Sequence, residues 1–247
     1  MVQKHYYYFG DELQKKMNGK ALTQENWEVL RNDEVEGPFS IEKTVEAYEE
    51  NCKKSSSYEE VASIIIQELE KRGNNNKIVS LGIGKGILEW HLKKQKPTLS
   101  VECTDYTAEA IEKLKKVFIS MDDGYPFDML KGHWNLLGTD SILLMFRVST
   151  EFNQEQWQNI FEKMYIAGIR NIIYIPTELC TIKEMIMERI NHLRCIVRGR
   201  KAMFCGWLYS EKEFEKIFRG NRNIPLYDIE SRIPFENTAV YFLRRHK

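Results

Sequence analysis

The sequence predicts an α/β protein in which a mostly parallel sheet carries helices on both faces, and three observations lead to this fold class. Short apolar runs alternate with amphipathic helical patterns from residue 77 onward. A glycine-rich turn joins one apolar run to the helix after it, within residues 78–90. Two final apolar runs, 226–233 and 238–244, are joined by a short turn. Alternation of strands and helices at this spacing indicates parallel strands connected by right-handed crossovers.

Length and composition are those of an ordinary globular protein. The 247 residues suffice for one large domain or a domain with a cap, and 43% of them are hydrophobic. Lys plus Arg and Asp plus Glu both number 36, so the formal net charge is zero and no global charge favours nucleic acid or an anionic membrane as partner. No apolar run approaches the roughly 20 residues of a membrane span, and the N-terminal segment has no continuous apolar region typical of a secretory signal. We expect a cytoplasmic protein.

The cysteines suggest neither disulfides nor a metal site. The five are odd in number, scattered, and contain no C-x-x-C pair. We therefore expect reduced, mostly buried thiols and no bound metal.

The first 76 residues precede the first predicted strand and have the pattern of helices and loops. Ser57, followed by Glu60 three residues later, forms a capping-box pattern, and Val61, Ile65 and Leu69 then fall on one helical face. We expect residues 1–76 to form an N-terminal helical cap on a domain at 77–247.

Within that domain the elements alternate. Strands are predicted at 78–81, 99–104, 141–148 and 171–175, with a short, ambiguous run at 118–121 as the candidate third strand, and helices at 108–118 and 154–166. Ser210 with Glu213 repeats the capping-box pattern before another helix. Between the fifth of these strands and that helix, residues 181–207 interrupt the alternation with a further helical pattern and a basic, less regular stretch, which we interpret as an insertion.

Glycines at 82, 84 and 86 allow the first strand to turn sharply into a helix, so that a ligand can lie on exposed backbone at the helix N-terminus. The dinucleotide fingerprint G-x-G-x-x-G fails, because Ile87 stands at its third glycine position. The spacing here is G-x-G-x-G, which by itself also occurs in plain tight turns.

The order of elements around this turn adds to the signal. The second apolar run ends at Asp105, nineteen residues beyond Gly86, and a helical segment follows. Strand, glycine turn, helix, strand, acidic residue and helix, with the terminal strand pair, resemble the class I S-adenosylmethionine-dependent methyltransferases over residues 77–247. The resemblance implies a Rossmann-like sheet with an antiparallel C-terminal strand, and S-adenosylmethionine as cofactor with S-adenosylhomocysteine as product.

The resemblance also implies roles for individual residues. Asp105 would hold the ribose hydroxyls, and Tyr106 would stack on the adenine or rest on the core. Met121 and Asp122, after the possible third strand, would contact the adenine, although the acidic pair at 122–123 with Gly124 is equally typical of a solvated turn. The other positions implied to contact the cofactor are the loop residues Gly82, Ile83, Gly84 and Gly86, and Phe146 and Arg147 at the methyl-donating end.

The acceptor is less well determined. After the fourth strand the chain reads FRVST, without the Asp/Asn-Pro-Pro-aromatic motif that enzymes methylating nucleobase amines share, so we expect a small-molecule acceptor. Tyr7 and Tyr8 could fold over the site or pack on their own domain. Arg194 and Arg198 in the insertion could bind an acceptor's phosphate or carboxylate, although such a basic run is more often a solvated face. We expect Lys85, in the glycine turn, to point to solvent.

No single catalytic base stands out, and the candidates are Glu151, Glu178, His133 and His192. Three alternatives therefore stay open: a non-catalytic partner subunit with a cofactor fold, a NAD(P)-dependent oxidoreductase, and a protein methyltransferase. The sequence leaves the oligomeric state and the methylated atom undetermined.

Overall fold

The structure, a computed structural model, describes residues 1–7, 40–73, 77–199, 203–220 and 225–247. Its strands are β1 (Val2–Tyr7), β2 (Lys77–Leu81), β3 (Ser100–Asp105), β4 (Asp123–Pro126), β5 (Ile142–Phe146), β6 (Asn171–Ile175), β7 (Met203–Tyr209), β8 (Tyr227–Phe235) and β9 (Thr238–Arg245). Its α-helices are α1 (Val45–Lys53), α2 (Ser56–Lys71), α3 (Ile87–Gln95), α4 (Ala108–Val117), α5 (Gln154–Ile166), α6 (Ile182–Val197) and α7 (Glu211–Arg219), with a 3₁₀ turn at Trp134–Leu137. Among these helices, none is long and apolar enough to cross a bilayer.

Seven strands form one sheet in the order β4-β3-β2-β5-β6-β9-β8. The pairs from β4 to β6 are all parallel, whereas β9 lies antiparallel between β6 and β8. The strand order reverses at β2: β3 and β4 follow one another on one side of β2, and the chain then returns to place β5 and β6 on its other side. The predicted fold class, including the antiparallel C-terminal strand, is confirmed.

Apolar residues cover both faces of the sheet, as continuous apolar strands in a parallel sheet require. On one face, Tyr48, Val61 and Ile65 of α1 and α2 pack in the same cluster as Ile78 of β2. On the other face, the aromatic residues of α5 and α7 form the second cluster, which includes Trp157, Phe161, Phe214 and Phe218. The two helices before β2 thus share a core with the sheet. The domain boundary at residue 76 stays a prediction.

The third sheet strand lies later in the chain than expected. Residues 118–121 form the end of α4 and a turn, because the Phe118 amide still donates to the Leu114 carbonyl at 2.8 Å while Ile119 is 69% exposed. The strand itself is β4, and Tyr125 aligns with Thr104 of β3. The prediction was wrong because the apolar residues closing a helix were read as a strand.

The chain also begins with a strand, which the expected helical cap did not include. β1 pairs antiparallel with β7 in a separate two-stranded sheet, and β7 begins within the predicted insertion and ends two residues beyond it. Period-two alternation in β1 is weak, and its partner is about 200 positions away in sequence. The described helices of the cap region, α1 and α2, agree with the expectation.

Among the described helices, the capping box lies at α5, and neither of the two predicted boxes forms. Asn153 and Gln156 form a reciprocal one at α5. The expected box at Ser57 is absent, since α2 begins at Ser56 and its N-cap, Ser55, makes no side-chain cap bond. At Ser210 the hydroxyl accepts from the Met1 ammonium at 2.8 Å instead of from the helix.

Candidate functional site

A cavity of 480 Å³ opens beyond the carboxyl ends of β2, β3 and β5. This is the position next to the reversal of strand order where open α/β sheets bind ligands. Its wall combines the loop after β2, the ends of β3 and β5, the start of α3, and side chains of α1 and α2. The lining residues are Asn51, Ser55, Tyr58, Gly82, Ile83, Gly84, Lys85, Ile87, Leu88, Glu89, Asp105, Tyr106, Met129, Phe146, Arg147, Val148, Glu151 and Phe152.

The three loop glycines have left-handed backbones, with φ of 69° at Gly82, 58° at Gly84 and 68° at Gly86, but they serve different purposes. A Cβ on Gly82 would lie 2.6 Å from Val148 Cγ1, so this position needs glycine for close packing. A Cβ on Gly84 would meet nothing within 4 Å, which leaves backbone accessible to a ligand.

Gly86 does not line the cavity. It is the N-cap of α3, its carbonyl accepts from the Tyr48 hydroxyl at 3.0 Å, and a Cβ there would lie 3.0 Å from the Leu114 side chain. The third glycine lets α3 pack closely on α1 and α4, and its expected contact with a cofactor stays a prediction.

Hydrogen bonds hold the loop against β3. The amides of Gly82 and Ile83 donate to the Thr104 carbonyl at 2.9 and 3.2 Å, and the Gly86 amide donates to the Ile83 carbonyl at 2.9 Å. Three amides of the turn thus fix its shape.

Asp105 ends β3 and lies in the same cavity wall as Gly84. It is only 4% exposed, and its Oδ1 accepts from both the amide and the hydroxyl of Thr107, at 3.1 and 3.0 Å. These bonds set the orientation of the carboxylate. Tyr106 also lines the cavity and is 37% exposed, so it does not rest in the core.

Met121 and Asp122 lie away from the cavity, contrary to expectation. Asp122 Oδ2 accepts from the Val101 amide at 2.7 Å and from Lys93 Nζ at 2.9 Å. Val101 is near the start of β3, so Asp122 lies at the opposite edge of the sheet from the site. The reason is the shifted third strand: Asp122 precedes β4 instead of following it. From the far end of β4, Met129 reaches the cavity.

Glu89 is a cavity residue that the sequence analysis did not identify. It is the third residue of α3, is 2% exposed, and accepts a hydrogen bond at Oε1 from the Ser80 hydroxyl at 2.5 Å. Burial raises the pKa of this carboxyl to about 7, against the smaller opposing effect of the Ser80 hydrogen bond. The sequence pattern that could have identified Glu89 is an acidic residue in the first turn of the helix that follows the glycine loop.

The charged groups of the wall are mainly acidic. Lys85 does not point freely to solvent, because its Nζ pairs with Glu42 Oε1 at 3.2 Å and its side chain is 19% exposed. The Arg147 guanidinium pairs with Glu236 Oε2 at 3.0 Å. Both cations are thus neutralised by carboxylates outside the lining set. The carboxylates within the lining set are Glu89, Asp105 and Glu151.

The residues expected to bind the acceptor lie elsewhere or outside the described part. Arg194 and Arg198 occupy the exposed C-terminal end of α6 and do not line the cavity. Tyr7 ends β1 opposite Met203, its side chain is outside the described part, and Tyr8 lies wholly outside it.

Of the four candidate bases, Glu151 lines the cavity, and the other three, Glu178, His133 and His192, do not. Within the described residues, no group of three or more histidine, cysteine, aspartate or glutamate side chains is placed to hold a metal ion.

Comparison with protein-family models and with curated proteins yields no match. Solved structures do match. Magnesium protoporphyrin IX methyltransferase ChlM from Synechocystis PCC 6803, with bound S-adenosylhomocysteine, aligns over 77% of this chain and 84% of its own at 13% identity and a TM-score of 0.58. A Rhodobacter sphaeroides protein provisionally named as a Zn-dependent alcohol dehydrogenase aligns over 70% and 86% at 11% identity and 0.53. Mitomycin 7-O-methyltransferase MmcR aligns over 70% of this chain and 50% of its own at 15% identity and 0.53.

At such low identity these similarities concern the fold, which is that of the class I S-adenosylmethionine-dependent methyltransferases. The alcohol dehydrogenase name among them means that fold alone does not separate methyl transfer from oxidoreduction. The chemistry of the cavity has to make that distinction.

Proposed function

We propose that the chain is a methyltransferase that takes a methyl group from S-adenosylmethionine and places it on a small-molecule acceptor. The observation that carries the proposal is the single acidic cavity in which the open face of Gly84 and the oriented carboxylate of Asp105 meet. The cytoplasmic location and the lack of a nucleic-acid partner belong to the same proposal and rest on the sequence.

The cavity suits this cofactor in size and charge. Its 480 Å³ falls within the range of about 300 to 1,000 Å³ for small-molecule sites. Asp105 and Glu151 in the wall favour a cationic ligand, whereas Glu89, with its raised pKa, is only partly ionised at neutral pH. S-adenosylmethionine carries a sulfonium and an ammonium. A nicotinamide dinucleotide instead brings a pyrophosphate to the glycine loop, where Asp105 is a nearby negative charge and Lys85 is already paired with Glu42. Charge therefore favours methyl transfer over the oxidoreductase alternative.

Different residues of the cavity would contact different parts of the cofactor. The loop at Gly82–Gly84 would hold the methionine portion, Asp105 would accept hydrogen bonds from the ribose hydroxyls, and Tyr106 would stack on the adenine. When bound, the cofactor supplies a methyl group on a positively charged sulfur. Phe146 and Phe152 would exclude water from the transfer site, which lies at the end of β5.

The chain's task in the reaction is to align the acceptor and, where needed, to remove its proton. The acceptor's lone pair forms a bond to the methyl carbon while the carbon–sulfur bond breaks and its electrons stay on sulfur. Holding the reactants in line lowers the entropic barrier. Glu151 is the cavity carboxylate next to the end of β5, so it would take the proton of a hydroxyl or amine acceptor.

Isothermal titration calorimetry with S-adenosylhomocysteine, S-adenosylmethionine and NAD⁺ tests the proposal. We expect the two sulfur nucleosides to bind at one site and NAD⁺ to give no heat. Binding of NAD⁺ without either nucleoside would instead overturn the proposal and favour the oxidoreductase alternative. Tight nucleoside binding with no turnover on an acceptor library would favour the non-catalytic partner subunit.

Glu151→Gln is expected to lower the single-turnover rate of methyl transfer to a hydroxyl acceptor by roughly 10²- to 10⁴-fold, the usual contribution of a general base. The Kd of the variant for S-adenosylhomocysteine, measured alongside the rate, shows whether its cofactor site is intact. Glu155→Gln, on the exposed side of α5, is the matched control and should keep the wild-type rate. Equal rates in the wild type and Glu151→Gln would exclude Glu151 as the base.

A further inference from the structure

Arg147 and Glu236 share an unusual backbone conformation. Among the described residues they are the two non-glycine positions with positive φ, at 56° and 46°. They are 89 positions apart, yet their side chains form an ion pair of 3.0 Å. Arg147 follows β5 at the cavity, and Glu236 lies in the turn between β8 and β9. At Glu236 a positive φ is typical of a two-residue hairpin turn. At Arg147, which follows a sheet strand, it is uncommon, and such residues persist only where the surroundings impose them and cluster at functional sites.

The strain at Arg147 is imposed by β6 and the loop after it. The Arg147 amide donates to the Ile175 carbonyl at 2.8 Å, and its carbonyl accepts from the Thr177 hydroxyl at 2.9 Å. Thr177 is held in turn by its amide, which donates to the Ser149 hydroxyl at 2.9 Å. The backbone is thus anchored on both sides of the peptide, which sets the direction of the Arg147 side chain.

Two aromatic rings flank the guanidinium. Its carbon lies 5.1 Å from the ring centroid of Phe146 and 5.6 Å from that of Tyr58, and the two rings meet edge to face at 5.3 Å. All three residues line the cavity. The guanidinium therefore stands beside an aromatic wall against which a flat ligand could lie.

The bonding of the guanidinium is incomplete. Arg147 Nε is buried and has no hydrogen-bond partner, while one terminal nitrogen is paired with Glu236. The side chains of the pair are 33% and 46% exposed, and ion pairs this accessible contribute little free energy. A carboxylate that met the guanidinium in the two-bond geometry would make the stronger contact, so it could displace Glu236.

We propose that Arg147 binds a carboxylate of a flat, aromatic acceptor, and that Glu236 occupies the guanidinium until the acceptor displaces it. This inference rests on the proposed function, since it names the substrate class of the same cavity. It assigns the negatively charged acceptor to Arg147 in place of Arg194 and Arg198, which lie outside the cavity wall. Competition from Glu236 also implies that its removal strengthens acceptor binding.

The test uses benzoate as probe and benzamide as its neutral counterpart, titrated into the wild-type protein with and without S-adenosylhomocysteine. Arg147→Met should weaken benzoate binding by about tenfold or more, the effect of losing a hydrogen bond between charged groups. Glu236→Gln, a surface change, should tighten it several-fold. The affinity for benzamide should be the same in both variants as in the wild type. Arg244→Met, which removes another exposed ion pair outside the cavity, is the control and should bind benzoate as the wild type does.

Equal benzoate affinity in the wild type, Arg147→Met and Glu236→Gln would overturn the inference, as would benzamide affinities that change in parallel with those of benzoate. Inorganic phosphate binding more tightly than benzoate, with the same dependence on Arg147, would overturn the carboxylate assignment. If benzoate bound as expected but S-adenosylhomocysteine did not bind at all, the proposed function would fail while the anion site remained.

Discussion

Asp105→Ala is expected to weaken S-adenosylhomocysteine binding by about 1 to 3 kcal/mol, or roughly 5- to 150-fold in Kd. The carboxylate is 4% exposed in the cavity wall, and the Thr107 bonds to one of its oxygens orient it. Hydrogen bonds from ribose hydroxyls to an oriented, buried carboxylate form without the cost of ordering it. Their loss should therefore appear almost fully in the Kd, measured by calorimetry.

Two further variants make this result specific. Asp105→Asn keeps an oxygen that can accept from Thr107 but removes the charge. Its Kd for S-adenosylhomocysteine should therefore lie between those of the wild type and Asp105→Ala. Asp122→Ala removes a carboxylate at the opposite edge of the sheet, where it binds Val101 and Lys93, and should leave the Kd unchanged. An unaltered Kd in a folded Asp105→Ala variant would contradict the ribose assignment.

Glu89→Gln should change how stability depends on pH. Burial raises the pKa of Glu89 from 4.5 to about 7 in the folded chain. Between these values the unfolded chain has released a proton that the folded chain still holds, so the free energy of unfolding falls as pH rises through this window. The expected loss is about 3 kcal/mol and is complete above the folded pKa.

Glutamine retains an oxygen that can accept from Ser80 but has no proton to lose. We therefore expect Glu89→Gln to melt at a higher temperature than the wild type at pH 8, with a smaller difference near pH 5. Thermal unfolding followed by circular dichroism from pH 5 to pH 8 measures this. Glu155→Gln, on an exposed helix face, should reproduce the wild-type profile. Parallel profiles for the wild type and Glu89→Gln would show that Glu89 is not a buried, protonated carboxyl.

Elements with a strong local pattern were predicted from the sequence in full. The bounds of α5 and β6 match the structure, because α5 has a capping box at one end and Gly168 after the other, and β6 is a continuous apolar run. The glycine turn and Asp105 were also located correctly, since parallel strands bring their carboxyl ends to one edge of the sheet. Their contacts with a cofactor stay predictions.

Elements that depend on distant partners were not predicted. β1 and β7 stabilise each other across most of the chain, and neither pattern is distinctive alone. The third strand begins and ends five residues later than predicted, so Asp122 lies before the start of β4 and not after the end of a strand, on the opposite side of the sheet from the site. The same limit applies to Gly86, where a side chain would be strained by the φ of 68° and would crowd Tyr48 and Leu114 from distant helices.

Hydrophobic periodicity and turn chemistry are local, so the amino-acid pattern alone predicts the fold class, the glycine turn and the acidic residue at the end of the second sheet strand. Which charged groups share the cavity depends on how the whole chain packs. Glu89 has a raised pKa because the sheet and helices exclude water from it, and Arg147 meets Glu236 because β8 and β9 return beside β6. Burial and long-range pairing arise from packing of the whole chain, and no short segment of sequence encodes them.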